Sequence, residues 1–413
     1  MSENKKPTYL ICITANNNNK YYRMIPRGDT FDVEYGRVGA TCQHASYPMS
    51  SWNKKYNEKI KKGYVDQSDL IQDLIVEEKK KSKSDYKEIE NKVIAEIVER
   101  LQDMANKTIQ KNYKVESTQV TQAMVDKAQS KIDAMSKLTT RTTLAKFNEH
   151  LIELYGIIPR KMKNVSDYLA KKKDDYAEIL KNEQDLLDVM RTQVVQHAVQ
   201  EEIAEDETVS EQTVLEAMGL VFEEVTEEEV ENIKKLLDDS KGKFKRAWRV
   251  TNLKTQQKFD DFVEKEKITE IKQLWHGSRN ENWWSIINTG LVLRPAANVI
   301  QNGKMLGYGL YYAPRAKKSI GYTSLQGSYW SGGRSSTGFM AIMDVAYGTP
   351  FDVNSFSSDY YDMTYEKLQK MCPGANCLHA HAGFNTGWGT LQNDEIVVYK
   401  EEQCTIKYLV EIA

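Results

Sequence analysis

The sequence of 413 residues predicts a multidomain α+β protein: a small antiparallel sheet, then an all-α bundle, then a mixed α+β domain. The distribution of glycine, proline and tryptophan indicates this order. From 76 to 240 the chain holds only Gly156, Gly219 and Pro159 of the first two types and no tryptophan, whereas fifteen glycines follow His276. Because long helices exclude glycine and proline while turns use them, the middle of the chain is predicted to be helical and its ends sheet-rich.

The overall composition excludes several classes of protein. Hydrophobic residues make up 40% and charged residues 28% of the chain, and the net charge of −2 gives no general attraction to nucleic acid or membranes. No apolar run reaches the roughly 20 residues that cross a bilayer, and the start "MSENKKPTYL" lacks the apolar core of a secretory signal. Five cysteines without a C-x-x-C pair indicate reduced thiols. We therefore expect an intracellular protein without a membrane partner, nuclear if the source is eukaryotic and cytoplasmic otherwise.

The first region, residues 1–75, has the pattern of a small antiparallel sheet. Short apolar runs such as "TYLICIT", "KYYRMIP" and "FDVEYGRVG" are separated by clusters of asparagine, glycine and aspartate. A helix is predicted at 50–62. The region holds eleven lysines and arginines against eight acidic residues, a mild excess that by itself indicates a solvated face more often than a nucleic-acid site.

The segment "YGRVGATCQHASYP" at 35–48 resembles the core of the WGR domain, with Tyr35, Gly36 and Arg37 in place of Trp-Gly-Arg. In that family the sheet packs against a nucleic-acid end and aids allosteric signalling. The resemblance implies a nucleic-acid partner, DNA breaks in particular, and an aromatic platform at Tyr35. Gly36 permits a close backbone approach, and Arg37 can contact either a phosphate or a neighbouring domain. Both roles of Arg37 stay open at this point.

The second region, residues 76–205, is predicted to be a bundle of amphipathic helices. Apolar residues recur at the helical three-four spacing, for example at Ile94, Ile97, Val98 and Leu101. A lysine run near its start, "KKKSK", indicates a charged linker or a nuclear-import patch. A glycine and a proline predict a buried turn in "FNEHLIELYGIIPRKMKNV", and this segment resembles the helical regulatory domain of DNA-dependent poly(ADP-ribose) polymerases.

The third region, residues 206–413, is predicted to be a mixed α+β domain. The alternating "EIKQLW" indicates a strand, and "NENWWSIINTG" indicates a helix that is capped by Asn280 and ends at Gly290. The "HGS" triplet that begins at His276 therefore lies at a strand end, where ligand-facing groups collect. From the residues alone, a single histidine is more often a structural hydrogen-bonding group than a catalytic one.

Three motifs of this region, in order, resemble the catalytic domain of the poly(ADP-ribose) polymerase family: "LWHGSR", "GYGLYYAPRAKKSIGYT" and "NDEIVVY", with "IKYLVEI" as the closing strand. With the two preceding regions, the resemblance covers nearly the whole chain. The His-Tyr-Glu set of the family falls on His276, Tyr311 and Glu395. The resemblance implies an NAD-dependent protein poly-ADP-ribosyltransferase, with NAD as substrate and with protein acceptors that include the chain itself.

The resemblance also implies a role for each residue in NAD cleavage. Backbone groups of Gly277 and the Ser278 hydroxyl would hold the nicotinamide carboxamide, while Tyr322, with Tyr311 opposite, would enclose the ring. Glu395 would bind the nicotinamide ribose and stabilise the positive charge that develops at its anomeric carbon.

Three further residues complete the NAD site that the resemblance implies. His276 would hydrogen-bond a ribose hydroxyl, and Lys318 and Ser319 match the family's Lys-Ser pair and would shape the pocket. Two positions depart from the family pattern: Lys304 stands in place of a tyrosine above the donor, and Val292 in place of an arginine on the adenosine side. Mono-ADP-ribosylation therefore stays open as an alternative, as does a binding module that recognises nucleic acid or NAD without turnover.

An acidic segment joins the second and third regions. Between 201 and 239 there are fifteen acidic residues and two lysines, a charge that would repel DNA phosphates. The simplest interpretation is a solvated linker and helix surface. The density of carboxylates also suggests sites at which the chain ADP-ribosylates itself.

The segment "CPGANCLHAH" brings Cys372, Cys377, His379 and His381 within ten residues, all of them zinc-compatible ligand types. Their spacing differs from that of a common zinc knuckle, and turn chemistry with ordinary buried thiols explains the pattern about as well. The sequence leaves a metal at these four residues undecided, and our expectation is that no metal is bound.

Overall fold

The structure is a computed structural model that describes residues 5–70, 86–113, 120–138, 141–205, 212–293, 305–387 and 389–413. Its contacts divide the chain into two compact units. The first unit comprises Met1–Lys83, Asn106–Ala198 and Ala297–Val299, and the second comprises Ser84–Ala105, Val199–Ala296 and Ile300–Ala413. None of the described helices is long and apolar enough to cross a membrane.

The first unit contains an antiparallel sheet of five strands: β1 (Thr8–Thr14), β2 (Asn18–Arg27), β3 (Thr30–Arg37), β4 (Gln43–Pro48) and β5 (Val65–Asp66). The strands lie in the order β4-β3-β2-β1-β5. One face of the sheet packs on helix α1 (Trp52–Lys61), where the rings of Phe31 and Trp52 meet edge to face with centroids 5.0 Å apart. The sheet and the helix that the sequence predicts in this region are both confirmed.

The helical middle of the chain contains α2 (Lys92–Asn112), α3 (Gln122–Ser136), α4 (Leu144–Ile157) and α5 (Asp175–Glu205). Residues of α2 up to 105 belong to the second unit, and its remaining residues belong to the first. Thr121 and Thr143 begin α3 and α4 by accepting a hydrogen bond from a backbone N–H of the first turn. Helix α4 packs on the sheet, and a Cβ added at Gly156 would lie 3.7 Å from the Ile11 side chain.

The predicted turn after α4 is buried and holds an ion pair. Arg160 Nη1 lies 2.9 Å from Glu183 Oε2 of α5, and both side chains are almost fully buried. Asn19 of β2 donates an Nδ2–H to the Arg160 carbonyl at 2.9 Å. The Asn19 amide thus joins the sheet to the turn, and loss of either partner of the Arg160–Glu183 pair would leave a buried charge uncompensated.

Among its described residues the second unit contains nine strands: β6 (Leu220–Glu224), β7 (Phe244–Asn252), β8 (Ile271–Gly277), β9 (Leu310–Tyr312), β10 (Gly338–Ala346), β11 (Pro350–Ser355), β12 (Cys377–Asn385), β13 (Glu395–Val398) and β14 (Cys404–Ile412). They form two sheets, in the orders β6-β7-β14-β10-β8 and β11-β12-β13-β9. All pairs are antiparallel except β11 with β12. The mixed α+β domain that the sequence predicts is confirmed, including the strand of "EIKQLW" and the closing strand.

Two hydrogen bonds connect these two sheets. Trp275 of β8 donates its N–H to the Ala313 carbonyl at 2.9 Å, and Ala313 donates back to the Trp275 carbonyl at 3.1 Å. Trp275 precedes His276, and Ala313 follows the last residue of β9. The ends of β8 and β9 are therefore held side by side, and this junction positions the candidate site.

The described helices beside these sheets are α6 (Val214–Met218), α7 (Glu227–Leu237), α8 (Leu253–Lys265), α9 (Trp283–Thr289), α10 (Ala316–Ile320) and α11 (Tyr365–Met371). Helix α7 lies in the acidic segment and begins with a capping box of Thr226 and Glu229. One of its carboxylates is not simply solvated, because Glu229 Oε1 accepts hydrogen bonds from Arg249 at 2.7 Å and Tyr408 at 2.8 Å.

The start of α9 differs from the prediction. The sequence indicates Asn280 as the helix cap, but the helix begins at Trp283, after a short 3₁₀ turn over Asn280–Asn282. Asn280 is buried and donates its Nδ2–H to the carbonyl of Thr337, the residue before β10, at 3.1 Å, so its amide does not cap the helix. The predicted end at Gly290 is correct. This residue has a φ of +78°, a backbone conformation that glycine adopts without steric strain.

Candidate active site

Four segments of the second unit bring the predicted NAD-site residues together: the end of β8, strand β9, helix α10 with the turn after it, and the start of β13. His276 Nδ1 lies 3.1 Å from the Tyr311 carbonyl oxygen. Tyr311 pairs across β9 and β13 with Val397, two residues after Glu395. The residue types that are far apart in the sequence therefore share one site.

Gly277 is required by a close contact at the end of β8. A Cβ added at this residue would lie 2.0 Å from the carbonyl oxygen of Ser319 in α10, a separation that no side chain tolerates. Ser319 is buried, and its hydroxyl donates to the Trp275 carbonyl at 3.1 Å. Ser319 therefore fastens α10 to β8 and affects the shape of the site through this attachment.

Ser278 follows at the rim of the site and is half-buried. Its hydroxyl oxygen accepts a hydrogen bond from Asn282 Nδ2 at 3.2 Å, which leaves its own proton able to donate to an incoming carbonyl group. Of the two departures from the family pattern, Val292 is half-buried just beyond α9, and Lys304 lies outside the described residues.

A buried ion pair occupies the centre of the site. Lys318 Nζ lies 2.7 Å from Glu395 Oε1, with only 16% and 7% of the two side chains exposed. Glu395 begins β13, and Lys318 lies on α10. A charge-assisted contact of this length compensates the buried carboxylate and fixes its position.

The two tyrosines of the site are neutral near pH 7. Burial, with a further contribution from the Glu395 charge, raises the pKa of Tyr311 well above its ordinary value. The same two causes raise the pKa of Tyr322 to about 12. The Tyr311 hydroxyl donates to the Gly307 carbonyl at 2.8 Å, which fixes its ring. Both side chains therefore present uncharged aromatic faces, which suit a flat heterocycle.

His276 is neutral as well, because burial lowers the pKa of its imidazole, although the hydrogen bond to the Tyr311 carbonyl opposes this shift. A carbonyl can only accept, so Nδ1 carries the proton in this contact. In the neutral ring Nε2 is then an acceptor, which is the state needed to receive a hydrogen bond from a ribose hydroxyl.

Trp330 was not predicted from the sequence, yet it contacts a residue of the site. Its ring stacks on Tyr322 with centroids 6.2 Å apart and planes inclined by 19°. Its backbone N–H donates to the Gly321 carbonyl at 2.9 Å, which attaches the loop beside the site. The only signal in the sequence is the adjacent pair Tyr329 and Trp330 within a segment rich in glycine and serine.

Arg37 lies on β3 of the first unit and is engaged by carbonyl groups. Its guanidinium donates to the carbonyl of Asn17 at 2.8 Å and to the side-chain oxygen of the same residue at 2.8 Å. It also donates to the carbonyls of Met162 at 3.1 Å and Lys163 at 2.7 Å, in the segment after α4. These contacts join β3 to the segment after α4 within the first unit, and the role of Arg37 toward nucleic acid stays a prediction.

The two residues before Arg37 have separate surroundings. The half-buried Tyr35 ring packs against Tyr22 with centroids 5.9 Å apart. At Gly36 an added Cβ would lie 3.4 Å from the Thr41 carbonyl oxygen, an ordinary contact distance.

The histidines and cysteines of "CPGANCLHAH" do not form one cluster. Cys377 is fully buried, and burial raises the pKa of its thiol to about 12. Within the part of the chain that the structure describes, the one group of three or more potential metal ligands is Asp352 with His379 and His381. The structure thus groups the two histidines with Asp352, a residue outside the segment that the sequence analysis considered.

The fold and the site together define an NAD-dependent ADP-ribosyltransferase. Residues 227–413 match the family described as the poly(ADP-ribose) polymerase catalytic domain. This part of the chain belongs to the family, whose enzymes use NAD as substrate. The match contains every residue that the sequence predicts for the NAD site.

Similar proteins come from a virus and from animals. Over 192 residues the chain is 36% identical to protein 101L of Invertebrate iridescent virus 6, an uncharacterized protein, which covers 46% of this chain and 79% of the relative. It is 29% identical over 149 residues to a mouse protein mono-ADP-ribosyltransferase, covering 35% of this chain and 7% of the relative. It is 27% identical over 157 residues to human poly [ADP-ribose] polymerase 2, covering 34% of this chain and 26% of the relative.

Proposed function

We propose that the protein transfers ADP-ribose from NAD to protein acceptors, including itself, and then elongates the attached chains. We propose further that DNA breaks bound by the first region increase the rate. The observation that carries the proposal is the single site formed by His276, Tyr311 and Glu395, with Lys318 against the glutamate. The name of the human relative, a poly [ADP-ribose] polymerase, agrees with elongation.

The donor half of the reaction follows from the arrangement of the pocket. Gly277 and Ser278 hold the nicotinamide carboxamide, and the neutral Tyr322 ring stacks on the nicotinamide. His276 Nε2 accepts a hydrogen bond from a ribose hydroxyl. The bond between the anomeric carbon and the nicotinamide nitrogen breaks, and its electron pair leaves with nicotinamide. Glu395 then faces the positive charge at that carbon, where a carboxylate lowers the barrier.

The acceptor half needs a nucleophile to approach the opposite face of the same carbon. An oxygen of the acceptor forms the new bond to the anomeric carbon and loses its proton to a base. In elongation the acceptor is a ribose hydroxyl of the growing chain, and Glu395 orients it by accepting its hydrogen bond. For this the carboxylate exchanges part of its contact with Lys318 for contacts with the two riboses.

The regulatory part of the proposal rests on the first unit. Arg37 joins the sheet to the segment after α4. A displacement of the sheet would therefore move the backbone next to the helices. DNA that binds better to one arrangement of the two would favour that arrangement and alter access to NAD. The mild positive charge of residues 1–75 agrees with a DNA partner.

The test is incubation of the purified chain with labelled NAD, with and without nicked DNA, followed by a denaturing gel. We expect a ladder of products that DNA increases and that Glu395→Gln abolishes. The matched control is Glu402→Gln, which removes a carboxylate near the same strands but outside the site, and should leave the ladder unchanged.

Two alternative functions give distinct results in the same assay. A single sharp labelled band would identify a mono-ADP-ribosyltransferase, an outcome that the name of the mouse relative and the departures at Val292 and Lys304 favour. Absence of label in every lane would identify a binding module. The complete His276, Tyr311 and Glu395 set is an argument against the binding module.

A further inference from the structure

A second cluster of ionisable side chains lies in the same sheet as Glu395 but on its other face. His379 and His381 alternate with Ala380 along β12, and Ala380 is the residue that pairs with Glu395. Because successive side chains of a strand point to opposite faces, the two histidines project away from the face that carries Glu395. The cluster is therefore separate from the NAD site.

The strand pairing supplies a carboxylate to the two histidines. Asp352 of β11 is the register partner of His379 in the parallel pair of β11 and β12. Its Oδ1 lies 2.6 Å from His381 Nε2 and 3.7 Å from His379 Nδ1. The ligand atoms of all three residues lie within 4.8 Å of one another. Two histidines at i and i+2 on one strand and a carboxylate from its neighbour thus face a common point.

A second carboxylate lies on the far edges of the same rings. Asp394 Oδ2 is 3.0 Å from His379 Nε2 and 3.8 Å from His381 Nδ1, the ring nitrogens that Asp352 does not face. Asp394 is itself held by the Ala382 N–H at 2.8 Å. Histidines that bind metals generally donate their second N–H to a carboxylate, which orients the ring and strengthens the ligand. Asp394 occupies that position for His379 and lies near the same edge of His381.

The access and charge of the cluster also suit a cation. His379 is largely buried, whereas His381 and Asp352 keep 40% and 52% of their side chains exposed, so an ion can enter from solvent. The Tyr347 hydroxyl lies 2.8 Å from His379 Nδ1, on the same edge as Asp352, and can yield this position. Imidazole nitrogen with carboxylate oxygen is a ligand set typical of zinc and related ions.

We propose that Asp352, His379 and His381 form a binding site for one divalent transition-metal ion of the zinc class, with water completing the coordination and Asp394 orienting the histidines. Binding of the ion displaces the proton shared between His381 and Asp352. The ion connects β11 to β12. It also acts on Asp394, the residue directly before Glu395, through the histidine ring that Asp394 holds. The site is therefore a structural one that stabilises the strand on which the catalytic carboxylate begins.

The experiment uses the full chain, stripped with a chelator and then dialysed against Zn²⁺ or Co²⁺. Bound zinc is measured by elemental analysis and cobalt by its visible absorption, which is intense in sites of low coordination number. We expect about one ion per chain in the wild type. His381→Gln and Asp352→Asn should lose the ion, and Asp394→Asn should weaken its binding about 10- to 100-fold.

Two further variants make the result specific. His44→Gln is the matched control, since His44 lies 3.2 Å from the Cys42 thiol and offers the rival site of similar ligand types. It should retain the ion. His381→Cys should also retain it and add a sulfur-to-cobalt charge-transfer band, which shows that the residue is a ligand and that its replacement folds.

The outcomes divide clearly. Failure of the wild type to bind Zn²⁺ or Co²⁺ would overturn the proposal and leave the cluster as a proton-sharing network. Full retention of the ion by His381→Gln and Asp352→Asn, or its loss in His44→Gln, would also overturn it by placing the ion elsewhere.

Discussion

The two triplets with a central glycine, one that begins at Tyr35 and one that begins at His276, look alike in sequence but differ in structure. Each lies at the end of a strand. A Cβ at Gly277 would lie 2.0 Å from a carbonyl oxygen, whereas a Cβ at Gly36 would lie 3.4 Å from one. The comparison teaches that Gly277 is required, because the backbone of a helix lies against it. At Gly36 the surroundings leave room for a side chain.

The residues that flank the glycines differ as well. Arg37 uses its guanidinium on carbonyls of the first unit. His276 uses one ring nitrogen on the Tyr311 carbonyl and lies beside the ends of β8 and β9. One triplet thus connects two segments of the first unit, and the other belongs to the proposed NAD site.

The largest effect should come from alanine at Gly277, and the same substitution at Gly36 is its comparison. Gly277→Ala forces β8 and α10 apart and should destabilise the second unit by about 3 kcal/mol or more, with loss of NAD turnover. Gly36→Ala should change stability by about 1 kcal/mol or less. Thermal unfolding and NAD consumption measure both variants. Equal effects would show that the steric difference between the triplets has no consequence.

The next effect concerns Arg37 as a joint. Arg37→Ala leaves the carbonyls of residues 162 and 163 without their charged donor and should destabilise the first unit by about 2 kcal/mol. Hydrogen exchange of peptides from β3 should then be about 30-fold faster, at tenfold for each 1.4 kcal/mol. DNA stimulation should fall while turnover without DNA is unchanged.

The control for Arg37 is Arg27→Ala, on the same sheet. Arg27 forms an exposed ion pair with Asp32, with 60% and 46% of the side chains exposed, and such pairs contribute little. If Arg37→Ala exchanges no faster than this control, the carbonyl contacts do not join the sheet to the helical region.

A smaller effect is expected where Trp330 supports Tyr322. Trp330→Ala removes an aromatic pair of about 0.5–1.5 kcal/mol and should raise KM for NAD about two- to tenfold, with kcat within about twofold. Tyr329→Ala is the control, because that side chain is 80% exposed and meets Trp330 edge to face. A fall in kcat at constant KM would contradict a supporting role in NAD binding.

The smallest effect concerns pH and the His276 side of the comparison. Burial lowers the pKa of His276 below its ordinary value of 6.5. The unfolded chain therefore takes up the proton first, and the contribution of this residue to stability is present above about pH 6.5 and is lost as the pH falls below that value. His276→Gln should show a shallower decline in the free energy of unfolding between about pH 7 and pH 5.5. An identical slope in both proteins would contradict the shift.

Much of the candidate site could be predicted from the sequence because three of its motifs match those of the poly(ADP-ribose) polymerase catalytic domain in the same order. His276, Tyr311 and Glu395 were identified in this way, and the structure places them together. The contact of Lys318 with Glu395 could not be read from the chain, since it depends on how α10 meets β13. Trp330 was missed because glycine and serine around it give no periodicity.

Local sequence misled at Asn280, which has the residue type of a helix cap but donates its amide to the Thr337 carbonyl just before β10. Proximity along the chain likewise gave no indication of Asp352, which strand register brings to the two histidines. In both cases the deciding partner is distant in sequence, and single-residue preferences carry no information about it. The domain limits at 75 and 205 stay a prediction.

The pair of hydrogen bonds between Trp275 and Ala313 connects the two sheets of the second unit along one shared edge. His276 lies on one of these sheets and Tyr311 on the other. The two sheets therefore cannot slide past each other at the site unless these hydrogen bonds break. We expect this junction of β8 and β9 to keep its geometry whether or not the enzyme is active. Under the proposed function, regulation would then change how readily NAD enters the site and would leave the arrangement of the reacting groups the same.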